Sequence, residues 1–450
     1  MTGPCLEQAI LKSLPDTVDS IVVAVSGGVD SVVLLHLLQR VAARCGLILR
    51  AVHLNHCMRP EADDDARFVE ALCQQLNIPC HSESCNVAKL AQQGKISLEM
   101  AGRLARRRLL EQVAAETGAQ LIALGHHRDD QLETLLLRLT RGTGISGLSG
   151  MAELDLPWWR PLLFCSRRQL LDYARRQSLS WREDASNLDP LFVRNRIRHQ
   201  IVPRLKDINP QFAERMVVLS RQVAVEEDFW RYQIETHFPS IRVACDDGLR
   251  LQRSPLLGFH PALRLRLLRA ALFEVRGHLH GIEAVHLQAI DDLLTGARSQ
   301  AQLDLPGCWV ARRYEHLWVR TAAPAMPPRY DVALQIPGEI LLPDGRKLVA
   351  TVVEQVEIET RHRVYVDQAV LDRPLTVRTW RPGDCFVPLG MTGHKRLKQL
   401  FSDLKIEKEE RLRTPLVVAG ETLLWVAGLQ RSGFGVVTPL SVRPVRLELL

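Results

Sequence analysis

Up to about residue 200 the chain alternates short apolar runs with amphipathic stretches. Residues 21–25 (IVVAV) are small or β-branched throughout and lead directly into Ser-Gly-Gly, which predicts a buried strand. Apolar positions at helical spacing follow over 32–43. Residues 47–54 predict a second strand and 62–76 a second helix. A third strand is expected at 78–82, a long helix at 98–116 stopped by Gly118, a strand at 121–124 and a helix at 131–141. Strand–helix alternation of this kind implies a parallel sheet covered on both faces, with ligands at the C-terminal ends of the strands. Beyond residue 209 the pattern changes. Residues 211–238 predict one long helix ending at Pro239, and 261–275 and 282–294 are also helical in spacing. Residues 308–310 and 317–319 predict a hairpin across RRYEH, and Pro343-Asp344-Gly345 a turn between 340–342 and 348–353. Residues 395–402 are expected to be helical, and the Pro-rich stretch 324–329 to be a linker. The chain therefore divides into an α/β part at 1–210, a small, mainly helical part at 211–325 and an α+β part at 326–450.

Composition narrows the class. The 450 residues are 46% hydrophobic and 24% charged, which is ordinary for globular chains and excludes a largely disordered one. No apolar run approaches the roughly 18–20 residues that span a bilayer, so no membrane association is expected. The N-terminus lacks the basic and apolar regions of an export signal. Ten cysteines lie scattered, which fits reduced thiols in a cytoplasmic protein. The overall net charge is +7, yet residues 160–206 alone hold eleven basic and four acidic side chains, also a net of +7. Such a patch attracts a polyanion, nucleic acid foremost.

Ser26-Gly27-Gly28-Val29-Asp30-Ser31 lies between the first strand and the first helix. Two glycines let the backbone approach a phosphate, and the free N–H groups of a helix start point at the anion. A Walker-type loop would need a lysine, and none is present. Backbone and hydroxyls must therefore do the holding. A carboxylate beside phosphates is repulsive unless a divalent cation bridges them, so Asp30 reads as a Mg²⁺ ligand.

The second cluster, Gly125-His126-His127-Arg128-Asp129-Asp130-Gln131-Leu132-Glu133-Thr134, follows the strand at 121–124. Asp130 and Glu133 are three apart on a helix and share a face, fit for a metal or a cationic amine. Asp129 is positioned to cap that helix. His126 and His127 can support phosphates or carry a proton.

The hexamer SGGVDS resembles the pyrophosphate loop of N-type ATP pyrophosphatases. GHHRDDQLETLLLRLTRGTGISGLSGM, together with His53, Asn55, His56 and Arg59 after the second strand, resembles the corresponding blocks of tRNA(Ile)-lysidine synthetases. Cys57 stands where a glycine is usual. Glu99 with Ala105-Arg106 fits a further element of that family, as do Arg160-Pro161-Leu162-Leu163, Trp181, Asp184, Ser186-Asn187 and Phe192–Arg198. At the C-terminal end Arg381–Asp384, Lys395–Phe401, Arg411, Pro415 and Trp425–Leu429 fit as well.

The resemblance implies an adenine-nucleotide alpha-hydrolase-like (PP-loop ATPase) domain followed by tRNA-binding domains. It implies ATP and Mg²⁺ as cofactors, with free L-lysine and a tRNA(Ile) bearing a CAU anticodon as partners. The implied reaction adenylates the C2 oxygen of the wobble cytidine, which lysine then displaces. On that reading Ser26, Gly27, Gly28, Val29, Asp30, Ser31, His53 and His56 bind ATP, with Asp30 the metal ligand. Asp30, His126, Asp130, Glu133 and Arg106 act in catalysis. Arg194, Asn195, Arg196 and Arg198 meet the anticodon loop, the three arginines on one side if the backbone is extended. Trp380, Lys395, Arg396 and Lys398 meet the rest of the tRNA. A tRNA thiolation enzyme on the same scaffold is the alternative, although no C-x-x-C pair is present to carry sulfur. A homodimer is held only as an expectation, since no interface pattern stands out.

Overall fold

Ile21, Val22 and Val23 are fully buried in a central strand, as a run without polar alternation requires when both sheet faces are covered. The computed structural model that shows this describes residues 3–57, 61–183, 193–243, 245, 247–367 and 374–450. Arg59, Asp184, Ser186, Asn187 and Phe192 lie outside the described residues.

The chain forms two compact units, Met1–Phe229 and Trp230–Leu450. The first unit runs α1 (Gly3–Ser13), β1 (Ser20–Ala24), α2 (Val29–Cys45), β2 (Ile48–Asn55), α3 (Ala62–Gln75), β3 (Cys80–Ser84), α4 (Val87–Gly94), α5 (Leu98–Thr117), β4 (Leu121–Ala123) and α6 (Arg128–Thr140). It continues through β5 (Leu154–Asp155), β6 (Trp158–Trp159), α7 (Arg167–Arg176), α8 (Val193–Arg196), a π-turn at Ile197–Ile201, α9 (Val202–Ile208) and the start of α10 (Phe212–Ile241). Among the described residues its strands make one sheet in the order β3-β2-β1-β4-β6-β5, parallel except for β5 at the edge. Ile21 and Val23 pack with α1, α2 and α7 on one face, and Val22 packs with α5 on the other. Gly118 ends α5 in the left-handed conformation at φ 68°, a position where glycine carries no Cβ penalty. The strand order reverses between β1 and β4. Loops leaving those two strands therefore diverge and open the crevice where open α/β sheets bind ligands.

In the second unit the two expected helices are α12 (Pro261–Arg276) and α13 (Ala284–Thr295), preceded by a short helix, α11 (Arg253–Gly258), that the pattern does not predict. With them comes more sheet than the apolar pattern predicts. Strands β7 (Arg242–Val243), β8 (Leu249–Gln252), β9 (Gln300–Leu305), β10 (Cys308–Arg313) and β11 (His316–Arg320) pair in the order β7-β8-β11-β10-β9. The expected hairpin is β10–β11, with Val310 opposite Val319. The other strands escape the pattern because they are short and carry arginine, glutamine and aspartate at alternate positions. Helix α10 runs to Ile241, past Pro239, because a proline in the last turn removes only one backbone bond.

The C-terminal part comprises β12 (Asp331–Leu334), β13 (Gly338–Leu341), β14 (Lys347–Val352), β15 (Arg363–Asp367), β16 (Leu375–Arg378), β17 (Cys385–Phe386) and β18 (Lys395–Arg396). Helices α14 (Leu397–Asp403) and α15 (Lys408–Arg413) follow, then β19 (Leu416–Ala419), β20 (Thr422–Val426), β21 (Gln430–Arg431) and β22 (Pro444–Leu449). Among the described residues no helix is long and apolar enough to cross a membrane.

Candidate active site

The glycine loop leaves β1 and enters α2 at Val29. Gly27 sits at φ +86°, a conformation L side chains rarely adopt. Ser31 Oγ donates to Gly28 O at 2.9 Å and accepts the Ser26 N–H at 3.1 Å, so the two serines fix the loop's curve. The β4 end comes up against this loop. A Cβ on Gly125 would lie 3.2 Å from the backbone of Asp30 and Ser31, tight enough that a side chain there would push the two motifs apart by a few tenths of an ångström.

His127, not Asp129, caps α6. Its Nδ1 accepts the Asp130 N–H at 3.3 Å while Asp130 Oδ2 accepts the His127 N–H at 2.9 Å. Asp129 instead accepts the Arg167 N–H at 2.9 Å, tying α6 to the start of α7, and lies 3.4 Å from Lys206 Nζ. The other ring nitrogen of His127 is 3.6 Å from Asp30 Oδ2. Burial opposes charge on His127, but the hydrogen bond to Asp30 and the carboxylates of Asp130, Asp30 and Asp129 outweigh it and raise its pKa. Asp30 Oδ1 is buried with no hydrogen-bond partner among the described residues. An orphaned carboxylate oxygen beside a phosphate loop fits a hard divalent cation.

His126 behaves in the opposite way to its neighbour. Burial first, then Arg160, Arg194 and Arg106 against an opposing Asp130, push its pKa down to about 4. Its Nδ1 is buried with no partner among the described residues. The sign of the linkage follows directly. Below pH 6.5 the unfolded chain takes up a proton that the folded site refuses until about pH 4, so stability falls across that window. His127, raised in the folded state, contributes stability that is fully present below its unfolded value and is lost as pH rises through the folded one. Thermal melts against pH should therefore show a flatter acid limb between pH 6.5 and 4 in His126→Asn than in the unmodified protein. An unchanged limb would place the acid sensitivity elsewhere.

The expected acidic pair is present, but it is not open. Glu133, only 2% exposed, accepts from Arg194 Nε at 2.8 Å and Arg198 Nε at 2.5 Å. Asp130 Oδ1 accepts from Arg194 at 3.0 Å. Burial works against the Asp130 charge, yet His127 and Arg194 hold its pKa below the usual carboxylate range. The one-sided arrangement of Arg194, Arg196 and Arg198 that an extended backbone would give is not the one observed. The segment is helical, so residues 194 and 198 share one face and turn onto the acids, Asn195 is buried, and Arg196 remains exposed.

The other expected site residues are spread around this centre. His53 Nδ1 bonds to Val25 O at 2.9 Å and is buried behind the loop. Arg106 Nη2 lies 3.1 Å from His56 Nε2. In the second unit Arg396 and Lys398 are exposed, and Lys395 is half-buried against Asp403 at 2.8 Å. Trp380 packs edge-on to Phe401 at 6.1 Å in a small core rather than offering a free ring.

Three family models match the chain: a PP-loop domain over residues 5–205, a TilS substrate binding domain over 251–318 and a TilS substrate C-terminal domain over 375–438. The tRNA(Ile)-lysidine synthase of Geobacter sulfurreducens is 37% identical over 422 residues, covering 92% of this chain and 89% of that protein. The chain belongs to the tRNA(Ile)-lysidine synthase family. The Dehalococcoides mccartyi tRNA(Ile)-lysidine synthase is 33% identical over 450 residues, covering 96% of this chain and 95% of its own. The match to the tRNA(Ile)-lysidine synthases thus runs through both units, while the two polar clusters at the β1 and β4 ends fall inside the PP-loop domain. The residue that sequence reasoning left without a firm role is His127. Its signal was its position directly before a helix, where an N-cap is required.

Proposed function

We propose that this chain is an ATP-dependent ligase that joins free L-lysine to C2 of the wobble cytidine of a tRNA(Ile) with a CAU anticodon. AMP and pyrophosphate are released, and the lysidine formed pairs with A instead of G. The observation that carries the proposal is the meeting of the lysine-free glycine loop with the His126–Glu133 cluster at the switch point of a family-matched PP-loop domain.

The C2 carbonyl oxygen of cytidine is a poor leaving group until it bears AMP. Ser26, Gly27, Gly28, Val29 and Ser31 hold the triphosphate through backbone N–H groups and hydroxyls, so that the carbonyl oxygen can attack the α-phosphorus while pyrophosphate departs. Asp30 is the residue that would hold Mg²⁺, which when bound neutralises the departing pyrophosphate. Asp130 and Glu133, held by Arg194 and Arg198 in the free protein, receive the ammonium of an amino acid as the arginines turn to its carboxylate. Lysine in water carries a proton on its ε-amine, with a pKa of about 10.4. The amine must lose it before attack, to a carboxylate or histidine of the cluster or to water, while His126, neutral at pH 7, offers an unpartnered nitrogen as a hydrogen-bond acceptor. Attack at C2 then expels AMP. The reading gives Arg106, beside His56, the transferring phosphate, and Arg196, Lys395, Arg396 and Lys398 the RNA backbone. The reading takes the cytoplasm as the site of action, and a homodimer is checked by light scattering.

Mass spectrometry of a tRNA(Ile) transcript incubated with the protein, ATP, Mg²⁺ and single amino acids tests the proposal. The expected result is a mass gain with lysine alone. A sulfur-for-oxygen change in the presence of a sulfur donor would replace it with thiolation.

A further inference from the structure

Beside the acid–arginine quartet, arginines gather with no carboxylate bound to them. Arg138 on α6 donates through Nη1 to Gly147 O at 2.7 Å and to Gly150 O at 3.0 Å. Arg160, directly after β6, donates through Nη1 to Ala152 O at 2.9 Å, and its buried Nε has no partner among the described residues. Arg103 is exposed on α5, one turn before Arg107, whose guanidinium lies 5.1 Å from the Trp158 ring of β6. No ion pair joins Arg103, Arg138 or Arg160 to an acid among the described residues; Arg107 differs, because it is paired with Glu111 at 2.9 Å.

Neutral carbonyls fix a guanidinium in place without cancelling its charge. Burial and then Arg103 lower the proton affinity of Arg138. Burial likewise lowers that of Arg160, with Asp155 opposing and Arg103 and Arg107 adding to the effect. Two fixed cations and an exposed third, repelling one another, destabilise the free protein, and an anion bound among them relieves the repulsion. Trp159, directly before Arg160, pairs with Ala123 of β4 and accepts the Leu124 N–H at 2.8 Å, so the cluster adjoins the β4 end that carries His126. On the same helix as Arg103, Met100 and Leu104 are 47% and 40% exposed, apolar surface of the kind on which unstacked bases rest.

We propose that Arg103, Arg138 and Arg160 form a cradle for the backbone phosphates of the single-stranded anticodon loop flanking the reacting cytidine. This rests on the lysidine reading above and adds a docking site on residues outside the 194–198 segment. Arg138 and Arg160, pinned before the RNA arrives, set the register of the loop, and Arg103 adds charge beside them, so that only the wobble base reaches the glycine loop.

The test compares the unmodified protein with the Arg103→Ala/Arg160→Ala double variant, leaving Arg138 to hold the 147–150 turn. Arg103→Ala alone, a change at an exposed position, guards against misfolding. Affinity for an RNA stem-loop carrying the CAU anticodon is measured over a range of salt, alongside affinity for α,β-methylene ATP. The double variant is expected to bind the RNA at least about 10-fold more weakly at low salt. Its slope of log K against log salt should fall by about 1.4, roughly 0.7 per lost phosphate contact. The single variant should show half that change in slope, and nucleotide affinity should stay within about twofold in both. An unchanged salt slope, or loss of nucleotide binding with RNA binding intact, overturns the cradle. If the unmodified protein makes lysidine while the slope is unchanged, only the cradle falls; if it makes none, the functional reading falls with it.

Discussion

Asp30→Ala protein is expected to release pyrophosphate from ATP, in the presence of tRNA(Ile), about 100- to 1000-fold more slowly than the unmodified enzyme, the usual cost of removing one preorganised electrostatic contact. The side chain sits in the first turn of α2, where the free N–H groups already favour an anion. With phosphates bound there, a carboxylate adds repulsion that His127 at 3.6 Å offsets from one side only, which favours a metal cation on the other. The buried, unpartnered Oδ1 marks where that cation would touch the protein. Asp30→Asn should lose as much, because the amide keeps the shape and discards the charge. Both variants should stay folded, since the α6 cap is made by His127 with Asp130 and does not need Asp30. Titration of pyrophosphate release against Mg²⁺ checks the assignment. A rate equal to that of the unmodified enzyme at all Mg²⁺ concentrations would remove Asp30 from metal binding.

Glu133→Ala should be damaging in two separable ways. The carboxylate is 3% exposed at its side chain and joins Arg194 and Arg198 through bonds of 2.8 and 2.5 Å. Removing one partner of a buried ion pair leaves guanidiniums facing a cavity, with Asp130 alone to answer two cations. That typically costs about 3–5 kcal/mol, visible as a lower urea midpoint. Glu133→Gln keeps the volume and an acceptor oxygen, so it should recover much of the stability. It should not recover the KM for lysine, expected to rise at least about 10-fold in both variants, since an ammonium bound to a carboxylate is worth more than one bound to an amide. If Gln restores the lysine KM together with the stability, Glu133 is structural and the substrate contact lies elsewhere.

The parallel sheet was readable because its central strands β1 and β4 are unbroken apolar runs and Gly118 ends α5 cleanly, whereas the two-residue strands β5 and β6 carry no such run and escape prediction. The glycine loop was readable because few sequences place Ser-Gly-Gly between such elements for any other reason. The partnership of Arg194 and Arg198 with Asp130 and Glu133 was not, because it joins groups more than sixty residues apart and depends on the local backbone. An extended segment would have presented residues 194, 196 and 198 together to solvent, whereas the observed helix puts 194 and 198 one turn apart on the buried side. Helix-cap preference favoured Asp129, and the structure gave that place to His127, which is tied at the same time to Asp30. In the second unit the short strands β7–β9 alternate with charged residues, and nothing in a single sequence separates them from loops. Trp380 read as a platform for RNA because aromatic next to basic residues look alike whether they stack on a base or, as here, pack edge-on to Phe401 in a small core.

The account turns on which phosphorus the cytidine oxygen attacks. A tRNA(Ile) labelled with ¹⁸O at C2 of the wobble cytidine, carried through one turnover with ATP and lysine, should transfer the label into AMP and leave pyrophosphate unlabelled. Label retained in the tRNA, or appearing in orthophosphate with ADP as the nucleotide product, would contradict it.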